Sequence, residues 1–128
     1  MKSIKSLSEL PINGYIANRE GNVLRMFFSF EKQESNDMDG TPIINNNYWC
    51  RSVDTIDISY GGIVDAIITD IYPLSSQYAI LANKNLADDA TSDITEEKRN
   101  NYINEYNIFQ SYRIFAKDLA SKIINELH

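Results

Sequence analysis

The strongest constraint on this fold is the C-terminal segment, in which no proline or glycine follows Thr95. Thr95 precedes Glu96 and Glu97, and this order is typical of a helix start: a threonine hydroxyl caps the first amides, and the helix dipole favours carboxylates there. The segment therefore predicts one helix over about residues 96–125. Such a helix is about 45 Å long at 1.5 Å per residue, which is longer than a globule of 128 residues needs.

The apolar residues of this helix follow a spacing of threes and fours, as in a bundle or coiled-coil seam. A second apolar stripe lies beside the first, and a helix apolar over so wide an arc needs neighbours on more than one side. Tyrosine is also enriched in protein interfaces, although core packing explains these residues about as well. We therefore predict a protein–protein interface at six positions: Tyr102, Tyr106, Phe109, Tyr112, Phe115 and Leu119.

Two shorter helices are predicted before the long one. Apolar residues recur every four positions from Ile63 to Tyr72, which predicts a helix that starts near the Gly61-Gly62 turn and ends at Pro73. Ser75 or Ser76 is the predicted cap of the second helix. Its predicted buried side is formed by Tyr78, Leu81, Ala82 and Leu86.

The first half of the chain has the pattern of strands. Residues 15–30 predict a β-hairpin with a polar turn at 18–22 that contains Gly21, and residues 48–58 predict a third strand that a bulge could interrupt. Residues 31–42 predict an exposed loop, and Ile43 and Ile44 the start of a strand. The side chains predicted to face the core from the hairpin are Leu24, Met26, Phe28 and Phe30.

Together these patterns predict an α+β fold, with an N-terminal antiparallel β-hairpin or small sheet, two short helices and one long C-terminal helix. The length of 128 residues suits one core. We therefore predict a single domain over 1–128, with a β-rich part at 1–59 and a helical part at 60–128.

The charge balance argues against nucleic acid and membrane surfaces as partners. The chain has 12 Lys and Arg against 18 Asp and Glu, whereas binding a phosphate backbone needs clustered cations. The first 20 residues hold no apolar run of seven, so we expect neither a signal peptide nor a membrane anchor. Cys50 is the single cysteine, which excludes an intramolecular disulfide and suggests a reducing, cytoplasmic location.

Two motif matches lie in the predicted loop. Residues 37–41 read DMDGT and match the DxDGT motif of haloacid-dehalogenase phosphatases, but that motif must leave a buried strand, and here it follows a polar run. Ser35, Asp37 and Asp39 alternate as in a calcium loop, but Asn46 stands where a bidentate glutamate is expected. We interpret the stretch as a turn rich in Asp and Asn.

No catalytic, cofactor-binding or metal-binding residue is predicted. The only histidine is His128, which makes a histidine base or ligand improbable. Gly61 and Gly62 lack the third glycine and the lysine of a phosphate loop. Cys50 fits a small buried apolar residue better than a nucleophile, so we expect no cofactor and no enzyme activity.

Residues 60–120 carry a resemblance to a protein family. A glycine-containing turn and helix (YGGIVDAIITDIYP) precede a helix reading SSQYAILANKNLAD and a long helix reading EEKRNNYINEYNIFQSYRIFAKDLA. This order resembles the helical region of small accessory and structural proteins of tailed phages.

The resemblance implies a non-enzymatic structural or assembly protein of a phage virion, such as a head-fibre, head-decoration or neck/tail accessory subunit. Such a protein would be assembled in the host cytoplasm and act through contacts with other virion proteins and with its own copies, as a dimer or trimer. The alternative is a small cytoplasmic regulatory or binding module that captures a host protein or small ligand. A monomer in solution would favour that alternative.

Overall fold

The computed structural model describes residues 1–36, 38–43 and 45–128. It has the predicted α+β fold: strands occupy the first part of the chain, and three helices follow, of which the last is the longest. Two compact units are present, Met1–Ile58 and Ser59–His128. The single-domain organisation stays a prediction.

The first unit is built on an antiparallel sheet of four strands in the order β1-β6-β3-β2, and a two-stranded sheet pairs β4 with β5. Side chains from β2, β3 and β6 form the buried part of this unit, with Leu24 and Met26 at its centre. The strands are β1 (Lys2–Ser6), β2 (Tyr15–Glu20), β3 (Val23–Lys32), β4 (Ser35–Asn36), β5 (Pro42–Ile43) and β6 (Asn47–Thr55).

The predicted hairpin is confirmed, with a tighter turn than expected. Its strands pair from Tyr15 opposite Phe28 to Glu20 opposite Val23, so two residues connect them and not five. Gly21 has a φ of 64°, which a two-residue hairpin turn needs and which glycine adopts without steric cost. The alternation of buried Leu24, Met26 and Phe28 along β3 is also confirmed.

A β-bulge ends this alternation. The register between β3 and β6 shifts between Phe28 and Glu31, and Ser29 has a φ of 57°. The extra residue turns Phe30 out of the buried row, and its side chain is only half-buried. The prediction that Phe30 faces the core with Phe28 was therefore wrong.

The sequence did not predict β1, the edge strand that pairs with β6 from Lys2 opposite Arg51 to Ser6 opposite Asn47. Its five residues read KSIKS and lack an apolar alternation. The strand conformation of this segment therefore depends on its pairing with β6. Two of its lysines lie over rings of the sheet: the Lys2 Nζ is 4.6 Å from the Trp49 ring centroid, and the Lys5 Nζ is 4.2 Å from the Phe27 ring centroid.

The segment predicted as a loop holds the small β4–β5 pair, with Ser35 opposite Ile43. Ile43, predicted to begin a strand, lies in β5. Ile44 lies outside the described residues. The third predicted strand is β6, which begins one residue earlier than expected and ends three residues sooner.

The second unit holds α1 (Tyr60–Ile71), α2 (Leu74–Asp88) and α3 (Glu96–Leu127). The Thr95 cap of α3 is confirmed, because the Lys98 amide donates to the Thr95 Oγ1 at 3.1 Å. A similar bond from the Gly62 amide to the Ser59 Oγ, at 3.0 Å, starts α1. Pro73 is the N-cap of α2 and makes no side-chain cap bond, so the predicted serine cap was wrong.

Helices α1 and α2 both pack against α3. The apolar stripe of α1 is buried as predicted at Ile63, Val64, Ile67 and Ile68, but Ile71 at the end of the helix is exposed. Helix α3 contributes the largest set of buried residues: Phe109, Ala116, Leu119, Ala120 and Ile123. Only Ala87 of α2 is fully buried. At 32 residues, α3 is about 48 Å long.

The buried side of α2 was predicted wrongly. Tyr78, Leu81, Ala82 and Leu86 are exposed, and the side that carries Lys84 and Ala87 faces α3, where the Lys84 Nζ lies 5.0 Å from the Tyr106 ring centroid. Apolar residues spaced by threes and fours occur on both sides of this helix. The period therefore could not indicate which side packs.

Arg99 ties the end of α2 to the start of α3. Its Nη1 donates to the carbonyl oxygens of Ala87 and Asp89, and its Nη2 donates to the Ser92 Oγ at 3.4 Å. A guanidinium at the C-terminal end of a helix satisfies carbonyls that have no partner within the helix and complements its dipole. Thr91 completes the turn by donating to the Asp89 carboxylate, which lowers the pKa of Asp89.

We expect Arg99→Ala to lower the free energy of unfolding by about 1–3 kcal/mol, because partly buried carbonyls would lose charged donors. Urea unfolding followed by circular dichroism measures this change. Lys98→Ala is the matched control and should cost no more than about 0.5 kcal/mol, since Lys98 is exposed. Equal losses for the two variants would contradict this role of Arg99.

Candidate functional site

The structure separates the six predicted interface residues by burial. Phe109 and Leu119 are buried within the chain, at 2% and 6% exposure, so they are not on the surface of this fold. Tyr102, Tyr106 and Tyr112 are half-buried. Phe115 is exposed at 39%. Much of the stripe thus serves the core of the helical unit, and the interface role of the accessible members stays a prediction.

An aromatic cluster links that core to the surface of the unit. The Tyr72 ring lies 4.9 Å from the Phe109 ring and 5.7 Å from the Tyr112 ring, and Tyr112 lies 5.5 Å from Phe115. The Tyr72–Phe109 pair is edge-on, which the ring quadrupoles favour. The outer member, Phe115, is the one that a partner could reach.

Tyr102 and Tyr106 are covered in part by lysines of the same unit. The Lys98 Nζ lies 5.9 Å from the Tyr102 ring centroid, and the Lys84 Nζ lies 5.0 Å from that of Tyr106. Lys84 also pairs with Asp88 at 2.6 Å. These two tyrosines are therefore less accessible than the predicted interface assumes.

The most exposed apolar face of the helical unit is on α2. Leu74, Tyr78 and Leu81 are 58%, 66% and 42% exposed, and their spacing of i, i+4 and i+7 places them on one side of the helix. The sequence pattern identified Tyr78 and Leu81 but assigned them to the core. We call these three residues the α2 face.

A groove of about 650 Å³ lies beside the α2 face, between α1, α2 and α3. Its apolar lining includes the buried residues Val64, Ile68 and Phe109, and two members of the α2 face, Leu74 and Leu81, also line it. We call it the three-helix groove. Its remaining lining residues are Asp65, Thr69, Gln77, Arg113 and Lys117.

The charges of the three-helix groove have opposite signs on two helices. Asp65 is on α1, whereas Arg113 and Lys117 are on α3, one and two turns after Phe109. The Arg113 guanidinium carbon lies 5.9 Å from the Phe109 ring centroid, and its Nη1 donates to the Gln110 Oε1 at 3.0 Å. Among the described residues, neither groove cation forms an ion pair.

The two motifs of the predicted loop share a residue that the structure does not describe. Asp37, which the phosphatase and calcium interpretations both require, lies outside the described residues. Within ranges 1–36, 38–43 and 45–128, no three His, Cys, Asp or Glu side chains are grouped to hold a metal ion. Gly61 lies in the first turn of α1, as the sequence predicted.

Cys50 is buried, as predicted, with 2% of its surface exposed. Burial raises the pKa of its thiol, and the nearby Lys5 and N-terminal ammonium oppose that rise more weakly. A raised pKa leaves less of the thiolate that acts as a nucleophile. The environment therefore suits an unreactive apolar residue.

We expect Cys50 to react slowly with the thiol reagent DTNB in the folded protein at pH 8 and rapidly in denaturant. The physical reason is that both exclusion of the reagent and the raised thiol pKa are lost on unfolding. Absorbance of the released thiolate measures the rate, with free cysteine as the control. Equal rates in the folded and unfolded protein would contradict this interpretation.

No helix in the described ranges combines the length and the hydropathy needed to cross a bilayer.

Two phenylalanines of α3 form a matched pair for separating core from surface. Phe109→Ala should lower the free energy of unfolding by about 3–5 kcal/mol, because it leaves a cavity in a buried site. Phe115→Ala removes a side chain that is 39% exposed and should cost clearly less. Urea unfolding at low protein concentration measures both, and a larger loss at Phe115 would contradict the assignment.

Comparison of the chain with protein-family models, with curated proteins and with solved structures finds no match.

Proposed function

We propose that this protein is a non-enzymatic assembly protein that acts through contacts with other proteins, among them its own copies. The observation that carries the proposal is the α2 face, on which Leu74, Tyr78 and Leu81 are exposed together. Single exposed apolar residues are ordinary, whereas apolar side chains grouped on one helix face are a feature of interaction surfaces.

The chemistry of this face suits a protein partner. Tyr78 offers a large ring and a hydroxyl, a combination enriched in protein interfaces. Phe115 on α3, predicted from the sequence for the interface, is also exposed.

The resemblance of residues 60–120 to accessory proteins of tailed phages supports a phage particle as the place where this function is carried out. We propose a virion subunit such as a head-fibre, head-decoration or neck/tail accessory protein, assembled in the host cytoplasm. Dimers or trimers that contact other virion proteins fit this proposal.

One observation favours a second candidate function. At about 650 Å³, the three-helix groove has the size of sites that hold small molecules, which suits a regulatory or binding module. In that case the groove would be filled by a ligand or a host peptide and not by an assembly partner.

Light scattering on the purified chain at micromolar concentration tests the proposed function. We expect a mass two or three times the 14.7 kDa of one chain, because burying the exposed apolar residues favours association. Dilution should shift the mass downward if the oligomer is reversible. A strict monomer across the whole concentration range would contradict self-association and favour the binding module.

A further inference from the structure

We propose that the three-helix groove is a self-docking site, whose occupant is the α2 face of a second copy of this chain. This inference rests on the proposed function and makes it specific: it names the partner, the surface and the symmetry. The two copies would be related by a two-fold axis, so that each groove receives the other copy's α2 face.

The projecting side chain of the α2 face and the three-helix groove lie side by side. Tyr78 is the most exposed member of the α2 face, while Leu74 and Leu81, on either side of it along the helix, line the groove itself. A two-fold interface uses the same patch on both subunits and must be self-complementary. A patch with both a knob and a hole meets that condition.

The three-helix groove has the chemistry to hold a tyrosine. Leu74 and Leu81 supply accessible apolar surface for the ring, and the groove is also lined by the buried side chains of Val64, Ile68 and Phe109. Arg113, Lys117 and Gln77 also line the groove and can donate hydrogen bonds to the phenolic oxygen. A helix with anchors at i, i+4 and i+7 is a recognised occupant of such grooves.

The charged side chains of the groove also suit a second copy as the partner. The chain carries a net charge of −6, so two copies repel each other at a distance and need local complementarity to associate. The groove supplies both signs, with Asp65 on α1 and Arg113 and Lys117 on α3. A two-fold axis can bring the acidic wall of one copy against the basic wall of the other, twice in each dimer.

A charge-reversal series tests this arrangement on the full-length chain. Asp65→Lys and Lys117→Glu should each weaken dimerisation about tenfold or more, because each places like charges together twice. An equal mixture of the two variants should form a heterodimer, and the double variant should recover the homodimer. Sedimentation velocity at low ionic strength measures the association, and native mass spectrometry identifies the mixed species.

The matched control for this series is Asp118→Lys, an exposed residue of α3 that does not line the groove, and it should leave dimerisation within about twofold of wild type. Failure of the mixture and of the double variant to recover the dimer would overturn the proposed pairing. Wild-type association that neither single variant weakens would overturn the groove as the site, while the assembly function would stand.

A second series of variants tests the role of Tyr78 as the side chain that enters the groove. Tyr78→Ser should weaken dimerisation about tenfold or more, whereas Tyr78→Phe should keep most of it. Ile108→Ser is the control, because Ile108 is also exposed but lies outside the groove. Circular dichroism checks that each variant is folded. Equal effects of Tyr78→Ser and Ile108→Ser would overturn the docking site, and a monomeric wild-type chain would overturn both this inference and self-association.

Discussion

Packing against one long helix is the interaction on which the helical unit depends. Helices α1 and α2 both lie on α3, and the side chains that α3 buries are spread from Phe109 to Ile123 over nearly four turns. Two of the fully buried positions are Ala116 and Ala120, whose small side chains allow close approach of neighbouring groups. Because burial of apolar area is the main favourable term in folding, loss of this seam would release both shorter helices.

The two shorter helices are held in different ways, and the difference bears on function. Four residues of α1 are buried, whereas α2 buries only Ala87. Polar contacts hold α2 in addition: Arg99 binds its C-terminal carbonyls, and Lys84 lies over Tyr106. A helix held from one side in this way leaves its other side, with Tyr78, available for contact.

The elements that could be predicted from the sequence are those whose residue pattern is compatible with only one local structure. Alternation along β3 is confirmed as far as Phe28, the stripe of α1 as far as Ile68, and the Thr95 cap in full. Prediction from the sequence failed where the pattern was ambiguous, as in α2, which has apolar residues on two sides. It also failed where strand pairing decides the structure, as in β1, which has no apolar alternation. The groove combines residues of three helices, so no local pattern could predict it.

The edge strand β1 has a further consequence for the proposed assembly of many copies. An open sheet edge is a template for adding strands from other chains, and lysines along an edge oppose that addition. Lys2 and Lys5 are two of the five residues of β1, and their ammonium groups reach inward over the rings of Trp49 on β6 and Phe27 on β3. Charged side chains rooted in the edge strand would raise the cost of pairing a strand of another copy with β1.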